Sequence, residues 1–148
     1  MLLQLQRLKD ALPAVHWTLT TSRRTPDEFY ASTQSLADAR FTVIPVDNTD
    51  TAWLKRQYAQ SGTIWVSEDS VSMIYESLSS GARVGVLSVP RKSQSRVSQG
   101  VDELLEKEQL INLEQLNSKG MMPNHQAEFC EANRIAAHIA SILRSKAR

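Results

Sequence analysis

The stretch IWVSEDSVSMIYESLSSG, residues 64–81, decides the fold of this chain. It opens with three consecutive β-forming apolar residues, a run too short for a helix, so it predicts a buried strand. After a polar turn, apolar residues recur at the spacing of one helical face, namely Val71, Ile74, Tyr75 and Leu78. Gly81 stands where such a helix is expected to end. The stretch therefore predicts a strand that enters a helix through a polar turn.

The start of this helix is the first candidate site. Asp69, Ser72 and Glu76 follow at offsets of three and four, so they form a polar stripe running down from the turn. A strand, turn and helix in this order place free backbone N–H groups and the positive dipole end at the carboxyl edge of a sheet, where open α/β sheets bind phosphorylated ligands. An alternative stays open, in which Asp69 or Ser70 only caps the helix and Glu76 is a solvated surface residue.

Five segments of the chain predict strands, and segments with a helical pattern alternate with them. The predicted strands are residues 15–20, 41–46, 64–66, 83–89 and 110–113. The fourth is continuously apolar up to Pro90, which is typical of a parallel strand covered on both faces. The order predicts a single α/β domain over residues 1–148, a three-layer Rossmann-like parallel sheet of about five strands with helices on both faces.

The stretch TSRRTPDE, residues 21–28, predicts a second helix start. Thr25 is a natural N-cap, Pro26 suits the first helical position, and Glu28 completes a T-x-x-E capping box.

Ser22, Arg23 and Arg24 then occupy the loop between the first strand and this helix. Two adjacent guanidiniums beside a helix N-terminus form an anion site, because arginine offers bidentate geometry to phosphate. The alternative is that one arginine pairs with Asp27 or Glu28 and the other is solvated.

Two later segments yield weaker predictions. Residues 91–96 form a polar loop with three positive charges after the fourth strand, interpreted as a solvated loop or as a further ligand contact. A final helix is predicted from residue 126 onward, with an apolar stripe that packs on the sheet. That stripe consists of Phe129, Ala132, Ile135, Ile139 and Ile142.

Composition excludes several classes of function. Seventeen basic and sixteen acidic residues give a formal net charge of +1, which provides no global electrostatic support for nucleic-acid binding. The single cysteine, Cys130, allows neither an intrachain disulfide nor a cysteine-based zinc site and fits a reducing cytoplasm. The opening residues 1–12 predict an amphipathic helix rather than a signal peptide, and no stretch is predicted to cross a membrane. It lacks the glycine motifs of nicotinamide, flavin and P-loop proteins, so no cofactor and no metal are predicted.

The motifs TTSRRTP and WVSEDSVSMIYESLSSG resemble the C-terminal half of the mitochondrial fission ELM-type family, over residues 5–140. That family is similar in architecture to the GT-B glycosyltransferases, whose C-terminal Rossmann-like domain holds the nucleotide-sugar donor. The resemblance implies that the backbone around Ser70, Val71 and Ser72 meets the donor diphosphate. Glu76 matches an acidic residue that hydrogen-bonds the ribose hydroxyls, and the loop with Arg24 would face the same cleft.

The chain also departs from this pattern. Family members are about twice as long, so the acceptor-binding N-terminal domain is expected to be a separate domain or a second copy. The turn SEDSVSM lacks the glycine that many GT-B enzymes carry, and no general base is evident. The resemblance implies the nucleotide-diphosphate-sugar binding domain of a GT-B-like glycosyltransferase, which alone is not expected to be catalytic. The alternative is a non-catalytic interaction or scaffold domain on the same fold.

Overall fold

The computed structural model describes residues 1–90 and 96–120, together with 136, 138–140, 142 and 144. The strands are β1 (Trp17–Thr20), β2 (Phe41–Ile44), β3 (Thr63–Ser67), β4 (Arg83–Leu87) and β5 (Ile111–Asn112). The helices are α1 (Leu2–Ala11), α2 (Asp27–Thr33), α3 (Thr51–Gln60), α4 (Val71–Ser79), α5 (Arg96–Glu106) and α6 (Leu113–Lys119). All five predicted strands are present. The described residues do not include loop residues 91–95 or Cys130, so the structure does not test the predictions made for them.

All described strand pairings are parallel, which confirms the predicted α/β class. In β1 and β2, Trp17 lies opposite Phe41. In the second sheet β4 lies between β3 and β5, with Trp65 opposite Gly85. The backbone ladders thus form a two-stranded and a three-stranded sheet, and no ladder among the described residues joins β1 to β3.

Helices cover both faces of these strands. Along β4, Val84 and Val86 face a core cluster with α4 and α5, whereas Leu87 faces a second cluster with α1 and α6. Residues Val84 through Leu87 are all buried, as predicted for a strand covered on both faces. The second cluster also includes Phe41 of β2, so it joins the two sheets into one structure.

The predicted boundaries around the central helix are confirmed. Ile74 and Leu78 of α4 are buried, and Gly81 follows the helix with a φ of 82°, a left-handed conformation that favours glycine. Pro45 lies just beyond the end of β2, where its missing N–H costs no ladder bond. Asp50 caps α3 by accepting a hydrogen bond from the Trp53 amide.

Two predictions in the C-terminal part need correction. The residues between the fifth predicted strand and the predicted final helix show no helical period and predict a loop, but residues 113–119 form α6, because Asn112 and Gln115 make a reciprocal capping box and Gly120 ends the helix with a φ of 67°. In the final helix, the described Ile139 and Ile142 are 50% and 41% exposed, so the prediction that they pack on the sheet is wrong for these two residues.

We expect Asn112→Ala to lower the free energy of unfolding by about 0.5–2 kcal/mol, because it removes the side chain that accepts the Gln115 amide at 2.8 Å. Urea unfolding measures the loss. The matched control is Asn117→Ala, an exposed position inside α6, where alanine should be neutral or slightly stabilising. Equal losses in both variants would contradict the capping role.

Lys9 connects α1 to the segment that precedes β2 through an ion pair and a hydrogen bond. Its ammonium lies 2.7 Å from Asp38 Oδ2, donates to the Leu36 carbonyl at 2.8 Å and sits 5.6 Å from the centre of the Phe41 ring. The hydrogen bond from Lys9 holds the pKa of Asp38 below its usual range, and the Arg40 amide lowers that pKa further. The ion pair is partly exposed, so its contribution depends on ionic strength.

The stability provided by this pair should depend on pH. Because the native pKa of Asp38 is lowered, its contribution is present above the unfolded-state pKa of about 3.9 and is lost as the pH falls through the native value. The difference in unfolding free energy between wild type and Asp38→Asn should therefore be constant near neutral pH and shrink in acid. In a Lys9→Met background, most of this pH dependence should be lost. If the difference between wild type and Asp38→Asn did not shrink at low pH, the assignment of this stability to the Lys9–Asp38 pair would be contradicted.

Candidate functional site

The two loops singled out in the sequence meet at the carboxyl ends of β1 and β3. Arg24 Nη2 lies 3.5 Å from Ser70 Oγ and donates to it, at a separation of 46 residues along the chain. β1 and β3 belong to different sheets, but Leu19 and Trp65 pack against the same core cluster, so the turns that follow the two strands come together. The structure thus places a guanidinium beside the N-terminus of α4.

The Arg24 loop is held by its own hydrogen bonds. The Ser22 amide donates to Thr25 Oγ1 at 2.9 Å, and the Arg24 amide donates to Ser22 Oγ at 3.2 Å. The predicted Thr25 capping box is therefore wrong: α2 begins at Asp27 without a side-chain cap, because the Thr25 hydroxyl is already engaged inside the loop. The hydrogen bonds within the loop therefore hold the backbone at Arg24 in place.

Both arginines of this loop are exposed. Within the part of the chain that the structure describes, neither Arg23 nor Arg24 forms an ion pair, so the alternative pairing with Asp27 or Glu28 is not found. No described carboxylate therefore lies within ion-pair distance of either guanidinium.

The start of α4 offers unpaired donors. Ser70 occupies the N-cap position but makes no capping hydrogen bond; its Oγ instead lies 3.2 Å from Ser67 Oγ. The first helical bond runs from the Ile74 amide to the Ser70 carbonyl at 3.1 Å. The amides of residues 71–73, which include Val71 and Ser72, have no partner among the described residues. The interpretation of Ser70 or the exposed Asp69 as a simple cap is therefore wrong.

Two side chains that the sequence did not reveal as important organise the neighbouring end of β4. Gln4 of α1 donates to the Ser88 carbonyl at 2.8 Å and accepts from the Ser88 amide at 2.9 Å. Glu68 accepts from the Val89 amide at 3.0 Å. These contacts span 84 and 21 residues, and no local spacing rule predicts them.

Glu76 does not contact Arg24 or Ser70 but lines a separate groove between α3 and α4. Six residues separate Glu76 from Ser70, about 9 Å along the helix axis. The groove has a volume of about 530 Å³ and includes Lys55 and Tyr58 of α3. Burial raises the pKa of Tyr58, and the nearby Glu76 charge raises it further. Ser72 and Glu76 lie on the same exposed side of α4, one turn apart, so the predicted stripe leads from the helix start to this groove.

A family model described as Mitochondrial fission ELM1 matches residues 1–143. The chain belongs to the mitochondrial fission ELM1 family. This membership confirms the resemblance seen in the sequence, and the two motifs that carried it are the segments that meet at Arg24 and Ser70 in this ELM1-family chain. No curated protein and no solved structure matches the chain.

Two further observations on the ELM1-family chain concern its described residues only. They contain no cluster of three or more histidine, cysteine or acidic side chains that could hold a metal ion. Among them, no helix combines the length and hydrophobicity that a membrane span requires. The donors assembled at the rim are thus a guanidinium, hydroxyls and backbone amides, all of which suit an anion.

Proposed function

We propose that this chain binds a nucleotide diphosphate, most specifically a nucleotide-sugar, as the C-terminal donor domain of a GT-B-like glycosyltransferase. The observation that carries the proposal is the approach of Arg24 Nη2 to Ser70 Oγ at 3.5 Å, beside the unpaired amides of α4. A ligand at this point would receive donors from two strand-to-helix turns, those that follow β1 and β3. Residues 1–148 would act as a single domain.

The diphosphate is assigned to the guanidinium of Arg24 and the amides of Val71 and Ser72. Charged hydrogen bonds to phosphate are roughly twice as strong as neutral ones, and the helix dipole adds to them. Ser70 contributes its hydroxyl, and Arg23 raises the local positive potential. Neutralising the charge of a departing diphosphate in this way is electrostatic catalysis that uses no metal.

The carboxylates of the site have a different role, because they repel phosphate. Glu76, one turn beyond Ser72, is assigned to the ribose hydroxyls, and Asp69, which is exposed in the turn, is assigned to hydroxyls of the sugar. Ser22 supports the site by holding the Arg24 amide. Each carboxylate acts as an acceptor only.

Transfer requires an acceptor, which we assign to a separate N-terminal domain or to a second copy of the chain. The proposed activity of this chain alone is therefore binding. We place it in the cytoplasm, in keeping with its single cysteine.

A thermal-shift screen against millimolar UDP-, GDP-, ADP- and CMP-sugars tests the proposal. A ligand at one hundred times its dissociation constant should raise the melting temperature by about 5–10 °C in a chain of this size. The shift should disappear in Arg24→Ala and Glu76→Ala. It should persist in Arg83→Ala, a matched exposed arginine at the opposite, amino end of β4.

The absence of a shift with every nucleotide would overturn the donor-site proposal. That result would favour the alternative class, an interaction or scaffold domain without a ligand.

A further inference from the structure

A pair of serine hydroxyls lies at the proposed anion site. Ser67 Oγ lies 3.2 Å from Ser70 Oγ, and the Arg24 guanidinium donates to the same Ser70 oxygen at 3.5 Å. Both serines are half-buried. The Ser70 hydroxyl is therefore in contact with two polar side chains, one from the loop after β1 and one from the end of β3.

The backbone around Ser67 is fixed on two sides. As the last residue of β3, Ser67 pairs with Leu87 of β4 in the parallel ladder. Its carbonyl also accepts the Ser70 amide at 2.9 Å, which closes the turn between the strand and α4. A side chain that stands on a strand is positioned more precisely than one that stands on a loop. The Ser67 hydroxyl is therefore a fixed neighbour of Ser70.

The protons of this pair decide how the two hydroxyls are oriented. A serine hydroxyl has one proton to donate and two lone pairs to accept, whereas a guanidinium only donates. Arg24 thus occupies one lone pair of Ser70 Oγ. Among the described residues, Ser70 is the one hydrogen-bond partner of the Ser67 hydroxyl. If Ser70 donated to Ser67, the Ser67 proton would have no described acceptor, which is unfavourable for a half-buried donor.

We infer that Ser67 is a positioning residue, which donates to Ser70 Oγ and thereby directs the Ser70 O–H toward the bound diphosphate. In this arrangement Ser70 Oγ accepts from Arg24 and from Ser67. Its own proton is left for an ionised phosphate oxygen, which only accepts. The ligand contacts Ser70, and Ser67 acts through it. The inference rests on the proposed function, because it requires an anion at the start of α4.

Isothermal titration with inorganic pyrophosphate, UDP, GDP and ADP tests this role. Ser67→Ala should weaken binding of pyrophosphate, and of each nucleotide that wild type binds, about 3–10-fold, the value of one neutral hydrogen bond. Ser67→Thr restores a hydroxyl and should restore the affinity. Thr63→Val is the matched control, because it removes a hydroxyl at the opposite end of β3, roughly 13 Å away, and should bind as wild type does.

A double-mutant cycle with Ser70→Ala separates positioning from a merely structural role. Ser70→Ala should weaken binding at least as much as Ser67→Ala does. Adding Ser67→Ala to Ser70→Ala should then change the affinity less than about twofold, because Ser67 has no hydroxyl left to orient. If Ser67→Ala fails to fold, Ser67→Cys takes its place in the cycle, since a thiol is a weak donor of similar size.

The outcomes distinguish the inference from the proposal beneath it. Unchanged affinity in Ser67→Ala, an equal loss with and without the Ser70 hydroxyl, or no rescue by Ser67→Thr would overturn the positioning role and leave the phosphate site standing. If wild type bound pyrophosphate but no nucleotide, the donor-domain proposal would be overturned, and the pyrophosphate cycle would still decide the role of Ser67. A complete lack of binding by pyrophosphate and every nucleotide would overturn both.

Discussion

Gly85→Ala should lower the free energy of unfolding by about 1–3 kcal/mol, the usual cost of overpacking a core. A Cβ at this position would lie 2.6 Å from three ring atoms of Trp65, its partner across β3 and β4. The half-buried Trp65 ring lies over the glycine and packs against the core cluster with α1 and α6, which limits its freedom to withdraw. Urea unfolding measures the change, and a loss of this size is a large share of a stability of roughly 5–15 kcal/mol.

Gly62→Ala is the matched control, because nothing lies within 4 Å of the Cβ it would add. This variant should be neutral or gain about 0.4–1 kcal/mol through the unfolded chain. In a double variant with Trp65→Leu, the cost of Gly85→Ala should fall clearly below its value in wild type. An unchanged cost would show that the Trp65 ring is not the obstacle.

Arg24→Ala should weaken binding of a nucleoside diphosphate about 10–100-fold, corresponding to a loss of about 1.5–3 kcal/mol for a charged hydrogen bond. The physical reason is that no other described cation contacts the turn at Ser70, which the Arg24 guanidinium approaches at 3.5 Å. Titration calorimetry of wild type and variant gives the ratio. The fold should be unaffected, since Arg24 is exposed and makes no described ion pair.

Arg24→Lys provides a finer comparison, because lysine keeps the charge and loses the planar fork. We expect an intermediate affinity, whereas Arg83→Ala should bind as wild type does. If Arg24→Ala bound the ligand with unchanged affinity, the guanidinium would have no part in the site.

Much of the fold could be predicted because its patterns are local. The apolar run that became β4 and the glycine that ends α4 at Gly81 require only their neighbours in sequence. The α6 helix was missed although Asn112 and Gln115 form a capping box, because its seven residues are too few to show a helical period. The periodicity of a strand also gives no information about its pairing partners. The sequence therefore could not predict that β1 and β2 form one sheet and that β3, β4 and β5 form another.

The candidate site was predictable in part for a topological reason. The turns that follow parallel strands lie on one side of an α/β domain, so the approach of Arg24 to Ser70 could be predicted although β1 and β3 share no ladder. The engagement of Thr25 within its own loop was not predictable, because the Ser22 amide competes for the same hydroxyl that would cap the helix. The pairing of Gln4 with Ser88 depends on tertiary packing alone.

That pairing has a practical consequence for anyone preparing the protein. Gln4 forms two hydrogen bonds with the Ser88 backbone, and Met1 lies less than one turn, roughly 5 Å along the axis of α1, from Gln4. An affinity tag attached to Met1 would therefore emerge near the carboxyl end of β4, on the side of the proposed anion site. Tags for calorimetry are therefore better placed at the other terminus or cleaved before use.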